Sequence, residues 1–394
     1  MIRIPRGRPA AAAVLGCLGL LTIGWTGLLI PSVIRSIKLT FDQTDAGIGL
    51  VYLLYSLAYG VGSFGGGPAT ERIGRRRVLT GAAVVHGAGI ISLGLAPNWT
   101  LFVALTLLAG LGAGALDGGS NGLFLELFRS GRGRAMNLLH LFFSIGALSA
   151  PLVVGSLVGG SVRWQVVLIG SGAAVFLLAL GFGLAPMPSG RHRTARTAGA
   201  GDGTAPAAPS IRGRVALPLV LLGLAMCTYA ASEVGVSNWL VRFLEPAPLS
   251  TATLALSLYW GGLAVGRFVS SQIADRFDHV RFSVACAFGL SVALLGAIVI
   301  PSLPISIALF GVCGIASGPV FPMIMAIAGE RHADRSAAVS GLLTGFSVVG
   351  GTGYPPLMGV LSVTVGLTVA MLGTVVLGLV CAVALLAVDR QRVG

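Results

Sequence analysis

Charge is what this chain most lacks. Of its 394 residues only 10% are Asp, Glu, Lys or Arg, while 55% are hydrophobic, and an average soluble domain is roughly 25% charged. So small a charged share cannot cover a water-facing surface, which excludes a soluble globular fold. Acids are scarcer than bases, 13 against 26, and lysine occurs only at Lys38, so the net charge of +13 is almost wholly arginine. These arginines are scattered through short turns between apolar runs. They answer to membrane topology and anionic lipid, and nucleic acid is not an expected partner. The five cysteines, Cys17, Cys227, Cys286, Cys313 and Cys381, lie inside apolar runs without metal-ligand spacing and read as small packing residues. No catalytic triad, phosphate loop or metal cluster is present in the sequence, so neither an enzyme nor a cofactor is expected.

What the chain has is apolar length. A helix rises ~1.5 Å per residue and the hydrocarbon core is about 30 Å thick, so each crossing needs about 20 residues. Residues 9–34, 46–70, 135–162, 164–190 and 246–266 each suit one crossing, and 215–241 makes a sixth if Glu233 is tolerated. The runs 78–125, 282–329 and 336–388 are each about twice that length and must fold back, at "APNW" (Ala96–Trp99), "PSLP" (Pro301–Pro304) and "TVGLT" (Thr364–Thr368). The first run reads as helix 1 and not as a cleaved signal. An all-α membrane protein of twelve transmembrane helices is predicted.

Positive charge in short loops stays on the cytoplasmic side. With the N-terminus inside, Arg35, Lys38, Arg163 and Arg242 alone fall outside, so both termini are expected in the cytoplasm of a bacterial inner membrane. Trp99 and Trp164, at outer helix ends, are expected in an interfacial aromatic belt. Residues 189–214, rich in Gly, Ala, Pro and Arg, read as a flexible cytoplasmic linker between six-helix halves at 1–188 and 215–394. The halves look like copies. Glu71-Arg72 recurs as Asp275-Arg276 at an offset of 204, and the same offset relates Glu126 to Glu330, Gly146 to Gly350, and Pro151 with Gly155 to Pro355 with Gly359. Two such halves suit rocking around a central cavity near the bilayer midplane.

These features resemble the major facilitator superfamily of secondary transporters over the whole chain. Its motif in the loop between helices 2 and 3, Gly-x-x-x-Asp-Arg-x-Gly-Arg-Arg, is matched by Gly67, Arg72, Gly74, Arg75 and Arg76, with Glu71 in place of Asp. The second copy keeps Asp275 and Arg276 but has Asp278 where the second Gly is expected. The resemblance implies a conformational latch of Gly67, Glu71, Arg72, Gly74, Arg75, Arg76 and Glu126, with Asp275, Arg276 and Glu330 as counterparts, and its charges can bridge one half to the other. A purely topological cluster is the alternative.

Only Asp117 and Glu233 lie deep within predicted spans, and an intramembrane acid is a functional hypothesis by default. Asn121 shares a helix face with Asp117, whereas Glu126, nine positions on, points to the opposite side. Tyr229, Glu233 and Ser237 share a face of helix 7, with Asn238 and Trp239 beside it. The bland reading pairs Asp117 with His86, His140 or Arg267. "ALDGGSN" with "RGRAMNLLHLFFSIGA", "EVGVSNWL" and "YWGGLAVGR" resemble the fucose:proton symporter branch and related bacterial sugar transporters, though its helix-1 acid is missing here. That resemblance makes Asp117 the proton-coupling residue, and Glu233, Asn121 and Asn238 polar contacts for a solute. Trp25, Tyr55, Tyr59, Tyr259, Trp260 and Tyr354 offer flat faces to a sugar ring, and Trp239 is a weaker candidate.

A monomeric proton-coupled symporter for a small polar solute, a sugar or sugar-like metabolite, is the leading expectation, with sodium the alternative coupling ion. A proton antiporter exporting a drug or metabolite is the second reading, because Gly146–Gly155 resembles the helix-5 signature of exporters. A non-transporting sensor is the third.

Overall fold

A computed structural model describes residues 8–128, 132–187, 217–331 and 336–390; residues 189–214, read as the linker, lie outside the described residues. In chain order the helices are α1 (Arg8–Gly27), α2 (Leu29–Phe41), α3 (Asp45–Ile73), α4 (Arg75–Leu95), α5 (Trp99–Leu127), α6 (Arg132–Gly159) and α7 (Trp164–Leu184). The series continues with α8 (Leu217–Phe243), α9 (Leu249–Ile273), α10 (His279–Val299), α11 (Leu303–Ser317), α12 (Val320–Arg331), α13 (Ser336–Thr364) and α14 (Leu367–Arg390). No strand occurs among the described residues.

Twelve crossings result, because α1 with α2, and α11 with α12, are single spans interrupted by a break. Eleven are long and strongly apolar. The remaining one, α13, is diluted by Gly350, Gly351, Thr352, Gly353, Tyr354, Pro355 and Pro356.

All three expected reversals occur. Asn98 accepts from the Leu101 amide at 3.0 Å to cap α5, the chain turns between Val299 and Leu303, and Gly366, at φ +94°, turns α13 into α14. The first span runs further than expected, to Phe41. Its two cations, which seemed to mark the end of the helix, have protein partners. Arg35 donates to the carbonyls of Val241, Leu244 and Ala247, and Lys38 pairs with Asp45.

Helix α3 packs along α5, α4 along α5 and α7, and α1 along α6; the second set repeats this with α9 on α11, α10 on α14, and α8 on α13. The repeat is visible in atomic contacts. A Cβ added at Gly110 would sit 2.4 Å from the Tyr55 carbonyl oxygen, and one at Gly314 would sit 2.1 Å from that of Tyr259, both residues displaced by 204. On the first helix of each set the register differs. Gly146 faces the Leu21 carbonyl and Gly350 that of Cys227, a shift of 206, which makes Gly27 and not Leu29 the counterpart of Glu233. The two sets meet through α3 on α13 and α6 on α9. Large apolar side chains such as Leu177, 71% exposed, are left on the outer surface, where lipid is the solvent.

Candidate functional site

The acid at the centre of α5 is held by neutral groups. Tyr59 Oη donates to Asp117 Oδ2 at 2.8 Å, and Asn121 Nδ2 donates to Asp117 Oδ1 at 2.9 Å and to its carbonyl oxygen at 3.0 Å. Close approach of α3 to α5 makes the phenol's reach possible: a Cβ at Gly114 would lie 1.9 Å from the Tyr59 carbonyl oxygen, so only glycine fits there. Tyr55 stacks on Tyr59 with ring centroids 6.4 Å apart. His140 lies within electrostatic reach on α6, its Nδ1 3.0 Å from the Met136 carbonyl. Among the described residues no cation is within ion-pair distance of Asp117. His86 is fully buried elsewhere, between Thr26 Oγ1 and the Ala109 carbonyl, each at 2.9 Å.

The candidates around helix 7 divide by exposure. Tyr229 Oη donates to the Ser317 carbonyl at 2.9 Å, and Tyr259 Oη to the Glu233 carbonyl at 3.3 Å. Trp260 Nε1 donates to Ser237 Oγ at 3.0 Å, and its ring meets Phe143 edge-on. Both tyrosines lie within electrostatic reach of the Glu233 carboxylate and the Arg267 guanidinium. Trp239 is 0% exposed and donates to the Pro355 carbonyl at 2.9 Å, with Tyr52 packed edge-on against it. In this conformation Trp239, Tyr229 and Tyr259 offer no surface to a solute, because each ring is sealed and each polar atom is spent on a backbone carbonyl. Asn121, Glu233, Asn238 and Trp25 are half-buried. Trp25 stands apart, donating to Ser171 Oγ on α7 at 2.9 Å. Trp164 is also corrected: only 5% exposed, it packs on Phe41 and Phe102 and donates to Thr40, so it belongs to the interior and not to a lipid-facing belt.

At the helix ends nearer the chain termini, Gly74 adopts φ +87°, a conformation that glycine tolerates, and swings α3 into α4. The turn delivers Arg75 to α5. Its Nη2 lies 2.9 Å and its Nε 3.1 Å from Glu126 Oε2, and Nη1 donates to the Gly119 carbonyl at 3.1 Å. In the second set Asp278 replaces the turning glycine and accepts from the Val280 and Arg281 amides, capping α10. Arg72, Arg76 and Arg276 are exposed, and the side chains of Gly67, Glu71 and Asp275 lie outside the described residues. Glu330 meets His279, whose Nδ1 is 2.7 Å from Oε1. His279 escaped sequence reading, although it stands 204 residues after Arg75 just as Glu330 stands 204 after Glu126. Both contacts stay inside one six-helix set, and the bridging expected of Glu71 falls on a side chain outside the described residues. A helix end leaves Glu126 and Glu330 nearest to cations of their own set.

The bridge is at the opposite face. Buried Asp45, at the start of α3, receives Lys38 from α2, Arg242 Nε from α8 at 3.0 Å, and Ser362 Oγ from α13 at 2.5 Å. Arg242 also pairs with Glu245. Tyr52 Oη donates to the Asn238 carbonyl at 3.0 Å, and a Cβ at Gly155 would collide with Thr253 Oγ1 at 1.7 Å. The two sets are thus clamped together at the face remote from the termini. Asp45 was passed over in the sequence as a helix-end acid, and its proximity to Lys38 was the one available signal.

The family model for the Major Facilitator Superfamily matches residues 14–247 and 246–393. The chain is 25% identical over 389 residues to membrane protein MosC of Rhizobium meliloti, covering 95% of this chain and 88% of that one. It is 22% identical to a gentisate transporter of Corynebacterium glutamicum, covering 90% and 82%. A putative glucose/galactose transporter of Helicobacter pylori is 27% identical over 139 residues, about a third of either chain (34% and 33%). Among solved structures, a bacterial homologue of the human lysosomal transporter Spinster superposes with a TM-score of 0.76 at 16% identity, covering 96% of each chain. The twelve-crossing helical architecture, the turn at Gly74 and the matched model agree: the chain belongs to the Major Facilitator Superfamily of membrane transporters, which are not enzymes.

Proposed function

We propose that the protein moves a small polar solute, a sugar or sugar-like metabolite, by proton-coupled symport with alternating access. The observation that carries this reading is the Asp117 carboxylate, within the helical bundle and held by a phenol and an amide with no cation at ion-pair distance among the described residues. A permanently paired acid stays charged, whereas one held by neutral donors can gain and lose a proton. Asn121 beside it, and Glu233 and Asn238 on α8, all half-buried, supply donors and acceptors suited to hydroxyl groups. The names of the partial relative from Helicobacter pylori and of the gentisate transporter agree with a small polar solute. Closure by Asp45 and Arg242 at one face, with Arg75 meeting Glu126 and His279 meeting Glu330 of their own sets at the other, suits one of the two states that alternating access requires. Protonation and solute can shift the balance only by their differential affinity for those states.

Proton-driven export is the second reading, favoured by the seam at Pro151 and Gly155, where α6 meets α9 too closely for any side chain on Gly155. Reconstituted vesicles and a panel of labelled sugars and drugs separate the two. Symport accumulates solute when the outside is acidified, and antiport when the interior is. Under symport, Asp117→Asn abolishes gradient-driven accumulation and spares solute exchange. Accumulation at the wild-type level in that variant would remove Asp117 from the coupling.

A further inference from the structure

Each set of six helices ends its fourth crossing with a glutamate, but the partners differ in kind. Glu126 holds Arg75, which is charged at every physiological pH, while the equivalent glutamate, Glu330, holds His279, the side-chain type that changes charge between about pH 5 and 8. We infer that His279 and Glu330 form a second proton-binding site, which pins the end of α12 when the imidazole is charged and loosens it when the imidazole is neutral.

The fold gives that contact leverage. In the span containing α12 the helical hydrogen-bond ladder is interrupted between Ser317 and Val320, where Pro319 has no amide to donate although Gly318 keeps a helical backbone, so α12, a 12-residue rod, is joined to α11 at a weakened point. Its far end is fastened by Glu330 to α10 and by Arg331, whose Nη2 donates to the Val388 carbonyl on α14 at 3.1 Å. The same rod carries Phe321 and Met325, which occupy in the second set the places of Asp117 and Asn121 in the first. A change in its fastening therefore reaches the positions equivalent to Asp117 and Asn121 in the second set without passing through Asp117.

The charged residues at this end are Asp278 and Arg281 on the helix of His279 itself, Arg276 just before it, Arg331 on α12, and Asp389 and Arg390 on α14. Asp278 caps α10, and Arg281 lies 3.6 Å from Asp389. Residues 332–335 lie outside the described residues. The sign follows from the pair: with the imidazole charged the contact is an ion pair, and with it neutral only a hydrogen bond to the carboxylate remains, so fastening is full at low pH and weakens as the imidazole loses its proton.

The test is hydrogen exchange of the purified protein in lipid nanodiscs, comparing peptides from 320–331 with those from 119–127 between about pH 5.5 and 8. The α5 segment serves as an internal reference because Arg75 keeps its charge. In the wild type the exchange of α12 relative to α5 should rise severalfold over this range, up to about fivefold, as expected when a partly exposed ion pair is reduced to a hydrogen bond from a neutral donor. His279→Arg should hold the ratio low throughout, and His279→Gln should hold it high throughout. A ratio that does not move with pH in the wild type overturns the inference, as does a pH-dependent ratio that survives His279→Gln. Should the Arg variant fail to fold, Glu330→Gln replaces it, with a high, pH-independent ratio expected.

Discussion

Tyr59 and Asp117, fifty-eight positions apart on different helices, meet hydroxyl to carboxylate at 2.8 Å. The phenol stabilises the ionised acid, since a hydrogen bond to the charged form favours that form. Tyr59→Phe removes the donor without changing the ring that stacks on Tyr55. A hydrogen bond to a charged group is worth about 1.5–3 kcal/mol, and its loss makes protonation of the acid easier. Gradient-driven uptake by this variant should persist to higher pH than in the wild type, and its unfolding midpoint should fall because a buried acceptor loses its donor. A pH profile of uptake in vesicles checks the direction, and a shift toward acid would contradict the bond's role.

The Asp45 clamp joins α3 of one set to α8 and α13 of the other. Asp45→Asn leaves Lys38 and Arg242 facing an amide and weakens the bond from Ser362. Breaking a buried pair from one side costs about 3–5 kcal/mol, and the lower end applies because both cations keep some contact with solvent. Spin labels at the ends of α2 and α9 on this face should show a population of longer distances in the variant that the wild type lacks. Unchanged distance distributions would mean that helix packing alone closes the face.

Gly114 and Gly60 make a matched pair of substitutions. Alanine at Gly114 places a methyl group against the Tyr59 carbonyl, whereas alanine at Gly60 meets nothing within 4 Å. Overpacking of this kind costs about 1–3 kcal/mol, and here it pushes α3 away from α5 and separates Tyr59 from Asp117. Gly114→Ala should lower the unfolding midpoint and reduce coupled uptake together. Gly60→Ala should leave uptake intact and raise the midpoint slightly, since alanine is the better helix former by roughly 1 kcal/mol.

Much of this architecture was legible in the sequence because membrane spans obey a length rule. The reversals at Asn98, between Val299 and Leu303, and at Gly366 fall where apolar runs were too long to cross once. The rule failed at Arg35 and Lys38, because a charge ends a span only if nothing inside the protein receives it. Asp117 stood out as an acid in an apolar run, but its partner Tyr59 did not, since a tyrosine in a membrane helix is ordinary until another helix is laid against it. His279 was concealed differently. The repeat pointed to it, but motif reading stops at Asp278, where the glycine is lost, and the histidine that follows does not resemble the arginine it replaces. Trp239 misled because its indole suits a sugar ring equally well whether open to a cavity or sealed against Pro355.

The fork of Arg35 has one more implication. Its guanidinium supplies four hydrogen bonds to carbonyls at the close of α8 and just beyond it, positions that a helix cannot satisfy by itself. When the face parts, those oxygens lose their donor, and solvent must flow in to take its place. Exposing this side is therefore a hydration step as well as a mechanical one, and the activity of water becomes a participant in the cycle.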